Sequence, residues 1–200
     1  FIEQQVGGGL NEASLAHHIE RILPNNGILF LGNSLFVRLA DALAKLPEGY
    51  PVYTNRGASG IDGLLATAAG IGVGSGQPVV AMLGDISTLY DLNSLALFKK
   101  INQPTIIFVI NNNGGAIFDT LAVDPEVKNE FYRMPHNMEF SQIASTFDLK
   151  YARPYTWADL SSVLKQAYYR KETTLIEIKV GPSDGSNIYK RLIEQIRYAV

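Results

Sequence analysis

Two runs in this chain are apolar without interruption, PVVAML (Pro78–Leu83) and IIFVI (Ile106–Ile110, within PTIIFVI), and a third, GILFL, begins at Gly27. A strand with one face in water alternates apolar and polar residues, whereas a strand covered on both faces does not need to. Segments with helical spacing lie between these runs and the later TTLIEIKV (Thr173–Val180). Continuous strands alternating with helices predict an α/β fold: a single three-layer domain whose sheet of about six mostly parallel strands has helices on both faces.

The helical segments can be placed with more detail. Asn11–Leu23 sets Leu15, Ile19, Ile22 and Leu23 on one face, with Asn11 as a cap, and Ser34–Leu46 is closed by Pro47. GIDGLLATAAGIGVG, DLNSLALFKK, FSQIASTF, TWADLSSVLKQAYYR and NIYKRLIEQIRYA supply the rest, and PVYTN reads as a further strand. VGGGL near the start has the composition of a flexible connection. Residues 1–26 are therefore read as the end of a linker and a lead-in helix, and 27–200 as the domain proper. The chain opens on Phe1 rather than Met, which leads to the expectation that it is part of a longer protein.

Composition narrows the function classes. A content of 46% hydrophobic and 18% charged residues suits one well-filled core, and a net charge of −2 without a basic cluster argues against nucleic acid. No apolar run reaches the roughly 18 residues of a membrane span, and the start lacks the order of a signal peptide; the expectation is a cytoplasmic protein without a membrane span. The absence of cysteine excludes disulfides, thiolate metal sites and a cysteine nucleophile.

In an open parallel sheet, ligands bind beyond the carboxyl ends of the strands. Asn33, Ser34, Asn55, Arg56, Asp85 and Asn111–Asn113 fall at those ends. Two other features look like sites and are read otherwise. Gly70–Gly76, GIGVGSG, closes a helix and precedes a strand, the reverse of a phosphate-cradling loop, so close packing or helix termination accounts for it. His17 and His18 are adjacent on one helix and point apart, and His136 has no evident partner; all three are expected to be surface or internally satisfied. Asp85 and the Asn triplet remain. A carboxylate and a carboxamide at neighbouring strand ends offer hard oxygen ligands of the kind Mg²⁺ takes together with phosphate and water. The residues alone leave a second reading equally open, in which Asp85 caps a helix and the asparagines form turns.

GNSLFVRL, NRGASGIDGLL, GDISTLYDLNSLAL and NNNGGAIF, taken together and in this order, resemble the diphosphate-binding C-terminal domain of thiamine diphosphate-dependent enzymes. Ile86 after the Asp, where most of these enzymes have Gly, narrows the likeness to the 2-succinyl-5-enolpyruvyl-6-hydroxy-3-cyclohexene-1-carboxylate synthase family. The resemblance is strong over most of Leu29–Phe118 and continues more weakly through FYRMPHN (Phe131–Asn137) to the end of the sequence. It implies a thiamine diphosphate-binding fold and a transferase of menaquinone biosynthesis that decarboxylates 2-oxoglutarate and adds the succinyl fragment to isochorismate. It implies Mg²⁺, or Mn²⁺ in its place, on Asp85, Asn112 and the carbonyl of Gly114. Cofactor contacts are implied for Ser34, Ile61, Gly84, Asp85, Ile86, Ser87 and Asn112, with Ile61 propping the bent cofactor and Ser87 and neighbouring amides on the diphosphate. Substrate contacts are implied for Ser34, Arg38, Arg56, Ile117, Phe118 and Leu121; a guanidinium suits dicarboxylic substrates because it engages a carboxylate in two parallel bonds. The resemblance places no catalytic residue in this chain. The activating glutamate belongs to a separate pyrimidine-binding domain of the same or a partner subunit, within a homodimer or homotetramer, so this chain alone is expected to be inactive. Two alternatives are a domain of another such enzyme, of the 2-keto acid decarboxylase or acetolactate synthase type, and a non-catalytic diphosphate-binding module.

Overall fold

Six short segments pair into one sheet: β1 (Ile28–Leu31), β2 (Val52–Thr54), β3 (Val79–Gly84), β4 (Thr105–Asn111), β5 (Lys150–Ala152) and β6 (Thr173–Lys179). Their order is β2-β1-β3-β4-β6-β5, and every pairing among the described residues is parallel. The structure, a computed structural model, describes residues 2–198. The helices are α1 (Ile2–Val6), α2 (Glu12–His17), α3 (Leu35–Leu43), α4 (Leu64–Ser75), α5 (Asp85–Tyr90), α6 (Pro125–Phe131), α7 (Phe140–Thr146), α8 (Trp157–Tyr169) and α9 (Asp184–Tyr198). The end expected for the last helix, at Ala199, lies outside the described residues.

The period-two geometry of a strand sends neighbouring residues to opposite layers. Leu29, Leu31, Val80, Met82, Ile106 and Phe108 face a core shared with α2, α3, α8 and α9, while Phe30, Ala81, Ile107, Val109 and Leu175 face one shared with α4 and α7. All of these strand residues are buried, with Leu31 at 7% exposed and the others at 0%, each of them other than Ala81 worth about 1.5–3 kcal/mol of apolar burial. The expected three layers are therefore present. Leu15 and Ile19 of the lead-in segment, both fully buried, sit in the first of these cores beside α3.

Elements departed from expectation where tertiary contacts intervene. The segment expected as one helix over Asn11–Leu23 is α-helical only to His17 and resumes as a 3₁₀ turn over Ile19–Arg21. His17 directs Nδ1 at the Leu43 carbonyl, 3.3 Å away, and the backbone leaves helical geometry at His18 (φ −107°, ψ 31°). Asn11 does cap it, its side chain accepting from Ser14 N while Ser14 Oγ accepts from Asn11 N. The next helix ends at Leu43 rather than Leu46, since Ala44 is extended. Leu92–Lys100 is 3₁₀ throughout, and nothing in its contacts explains why. The glycine run behaves as read: Gly76 terminates α4 in the left-handed region (φ 64°), and a Cβ on Gly72 would lie 3.1 Å from Ile101 Cδ1. Among the described residues no helix is long and apolar enough to cross a membrane.

The topology fixes where a site belongs. β1 lies between β2 and β3, with α3 on one face of the sheet and α4 on the other. The winding reverses between β1 and β3, and the crevice beyond their carboxyl ends is the switch point at which such sheets bind ligands.

Candidate functional site

Four strand ends converge on this crevice. After β3, Gly84 is extended (φ −76°, ψ 162°) and Asp85 opens α5 with its carboxylate 2% exposed. Asp85 Oδ1 accepts from Ile86 N at 2.7 Å. Oδ2 accepts from Gly114 N at 3.0 Å and lies 3.1 Å from His136 Nε2. The side chain is thus held toward the loop after β4, the element adjacent to β3 in the sheet. His136, expected as a surface or internally satisfied histidine with no partner evident in the sequence, is internally satisfied: it reaches Asp85 from a segment far along the chain, a contact that no local pattern records.

The loop after β4 carries the asparagines, and each is held differently. Asn111 Nδ2 donates to Glu177 Oε1 at 2.6 Å, and its Oδ1 accepts from Asn113 N at 3.0 Å. Glu177 is fully buried on β6 and also accepts from Tyr151 Oη at 2.5 Å. Asn113, at φ 61°, binds the backbone of His136 and Asn137. Asn112 is 6% exposed, and its Oδ1 is fully buried with no hydrogen-bond partner. Buried polar atoms in native proteins are almost always paired, so the unpaired oxygen makes Asn112 a candidate ligand.

On the β1 side, Asn33 donates to the carbonyls of Asn55 (3.0 Å) and Gly60 (2.6 Å), bracing the loop after β2. Arg56 Nη1 donates to Asn33 Oδ1 at 3.0 Å, and Arg38 Nη1 donates to the Ser34 carbonyl. Neither arginine is paired with a carboxylate among the described residues, so most of each guanidinium fork stays available. Ser34 turns the chain from β1 into α3 at φ 78° and ψ −135°. Together these elements enclose a cavity of about 250 Å³.

Every residue anticipated for cofactor, metal or substrate lines this cavity except Leu121. Leu121 is 45% exposed, and its carbonyl accepts from Lys128 Nζ. Glu12 also lines the cavity and was not anticipated. It is 3% exposed, forms no ion pair among the described residues, and its Oε2 has no hydrogen-bond partner. Burial, and then the charge of Asp85, push its carboxyl up to about 8. Its only sequence signal is a helix-start glutamate, which ordinarily serves the helix dipole on a surface.

Comparison with known proteins fits this arrangement. Residues 38–178 match the family model for the thiamine pyrophosphate enzyme C-terminal TPP binding domain, thiamine pyrophosphate being thiamine diphosphate. Over all 200 residues the chain is 86% identical to the 2-succinyl-5-enolpyruvyl-6-hydroxy-3-cyclohexene-1-carboxylate synthase of Mannheimia succiniciproducens and 80% identical to that of Pasteurella multocida. It spans 35% of the length of each of these relatives. Among solved structures, benzoylformate decarboxylase from Polynucleobacter necessarius shares the fold, with a TM-score of 0.72 at 18% identity, over 86% of this chain and 33% of that one. The thiamine diphosphate-dependent 4-hydroxybenzoylformate decarboxylase of Rhodococcus jostii superposes with a TM-score of 0.70 at 21% identity, over 88% of this chain and 33% of its own. With a family match across most of its length and the crevice at its switch point, the chain belongs to the C-terminal TPP binding domains of thiamine pyrophosphate enzymes.

Proposed function

We propose that this chain supplies the diphosphate half of a thiamine diphosphate site in a longer synthase, one that decarboxylates 2-oxoglutarate and joins the succinyl fragment to isochorismate. The observation that carries the reading is the buried, unpartnered Oδ1 of Asn112, a residue that lines the same cavity as Asp85. Carboxylate, carboxamide and, at Gly114, a peptide carbonyl form an all-oxygen donor set that suits Mg²⁺, or Mn²⁺ in its place. High identity to relatives named as the synthase supports the reaction, and the 35% coverage supports a further pyrimidine-binding domain outside these residues.

Bound thiamine diphosphate supplies the nucleophilic carbon and the electron sink for loss of CO₂ from a 2-keto acid. The chain's residues do the rest. Asp85 and Asn112 hold the cation, Gly84, Ile86 and Ser87 line the diphosphate end, and Ile61 supports the cofactor from the loop after β2. Arg38 and Arg56 each spend one N–H on their own scaffold, so the remaining N–H groups engage substrate carboxylates in charge-assisted bonds. Ile117 and Phe118 form an apolar wall that keeps water from the reacting carbon. The activating glutamate is assigned to the pyrimidine-binding domain, on the same or a partner subunit of a homodimer or homotetramer.

The test is kinetic and uses the full-length protein. CO₂ release from 2-oxoglutarate should require both thiamine diphosphate and Mg²⁺, and isochorismate should trap the product. Arg56→Ala should lower kcat/KM for 2-oxoglutarate by about 10-fold or more, from the roughly 1.5–3 kcal/mol of a lost hydrogen bond between charged groups, and lower that for pyruvate far less. Equal losses would remove Arg56 from substrate choice; no cofactor-dependent release would overturn the function.

A further inference from the structure

The segment Tyr132–Met138, which forms no helix or strand, lies across the loop that follows β4. Asn113 Oδ1 accepts from His136 N (3.2 Å) and Asn137 N (2.8 Å), and Asn113 Nδ2 donates to Asn137 Oδ1 (2.9 Å). Gly115 N donates to the Arg133 carbonyl at 2.7 Å. The approach is close enough that a Cβ on Gly114, at φ 147°, would stand 2.1 Å from that same oxygen. Met134 (φ 48°), Asn137 (φ 51°) and Asn113 (φ 61°) all occupy the left-handed region, which side chains other than glycine enter at a cost and keep only where surrounding contacts hold them. Arg133 fastens the segment at its other end through Asp119 Oδ2 (2.6 Å) and the Pro182 carbonyl (2.9 Å).

The segment ends on the Asp85 carboxylate. Met138 N donates to His136 Nδ1 at 3.0 Å, so Nδ1 is the acceptor nitrogen and the ring proton sits on Nε2. Nε2–H then donates to Asp85 Oδ2. The ring is 9% exposed at its side chain and stands edge-on to Phe140, with centroids 6.2 Å apart and planes at 89°. Gly114 N–H occupies the same Oδ2. With two donors on Oδ2 and only the Ile86 amide on Oδ1, the carboxylate is left with Oδ1 as the oxygen that has room for a further partner.

We propose that His136 is a positioning residue for the cation-binding carboxylate, and that Tyr132–Met138 is a strap that sets Asp85 and Gly114 before the cation arrives. This rests on reading Asp85 as a cation ligand. Groups that orient a metal ligand from behind typically change metal affinity by about 10–100-fold when removed. A glutamine amide can replace Nε2–H as a donor, whereas phenylalanine keeps the ring and removes the donor.

The experiment measures Mg²⁺ affinity of the full-length protein at saturating thiamine diphosphate, by thermal-shift titration, for wild type, His136→Gln, His136→Phe and Asp85→Ala. The expected result is a rise in apparent Kd of about 10–100-fold for His136→Phe, near-wild-type binding for His136→Gln, and no metal response for Asp85→Ala. Wild-type affinity in His136→Phe, with Asp85→Ala unresponsive, would overturn the positioning role and leave the cation site standing. A full metal response in Asp85→Ala would overturn both. Should the phenylalanine variant fail to fold, nitrogen-15 NMR of the wild-type imidazole decides the matter. A protonated Nε2 with bare Nδ1 is expected, and the opposite tautomer would refute the strap's geometry.

Discussion

Three consecutive asparagines divide their labour. Asn111 braces the loop through Glu177, Asn113 holds the strap, and Asn112 keeps its oxygen free. Without metal, Asn111→Ala should cost about 1–3 kcal/mol, because it strips a donor from a fully buried glutamate, whereas Asn112→Ala should cost less than 1 kcal/mol, since its oxygen has no partner to lose; denaturant melts in EDTA would show the difference. That the triplet stands beyond a buried strand, at the crevice, was legible from its position after an apolar run, although the residues alone left a turn-forming role equally open. Its division of labour was not, because it is set by Glu177 and Asn137, partners distant in sequence. Glu12 was illegible for the same reason. Its folded pKa of about 8 lies above the ordinary glutamate value near 4.3. The unfolded chain therefore loses this proton first as pH rises, and stability falls between about pH 4.3 and 8. Glu12→Gln, which stays neutral, should remove that fall and stabilise the protein at pH 8 by up to a few kcal/mol, at about 1.4 kcal/mol per unit, relative to its effect at pH 5. Urea unfolding at the two pH values checks this; parallel profiles for both proteins would show that Glu12 is ionised in the fold.

The buried strands β1, β3, β4 and β6 were the most legible elements, because an uninterrupted apolar run has few other uses. The short edge strand β5 carried no comparable signal, and the lead-in helix was overestimated because periodicity cannot register a tertiary bond such as that between His17 and Leu43. α4 was read correctly despite its glycines, since order along the chain separates a helix that closes on glycine from a phosphate loop. Its glycines are not equivalent. Gly74 is exposed, helical and open on all sides to an added Cβ, so Gly74→Ala should stabilise by about 0.5–1 kcal/mol through helix propensity. Gly76, left-handed at the helix end, should lose about 1 kcal/mol on the same change. Paired thermal melts would reveal the opposite signs.

At the scale of the whole molecule, reversal of the winding between β1 and β3 brings Ser34, Arg56, Asp85 and Asn112 around one crevice, although they are spread over much of the chain. The sheet could be inferred from apolar runs, and the meeting of these residues from their place at strand ends. The exposed position of Leu121 could not, because it depends on the course of the loop beyond Phe118. On the proposed function, Asp85 and Asn112 bind a cation that holds a diphosphate. Calorimetric titration of thiamine diphosphate into the full-length protein, with Mg²⁺ and then with EDTA, tests it most directly when wild type is set beside Asp85→Ala. Wild type should show saturable binding in Mg²⁺ alone and Asp85→Ala none under either condition, while the variant still unfolds cooperatively, at a melting temperature lowered in step with the roughly 1–3 kcal/mol that a stranded buried donor such as Gly114 N–H costs. Metal-independent binding by wild type, or undiminished binding by Asp85→Ala, would contradict it.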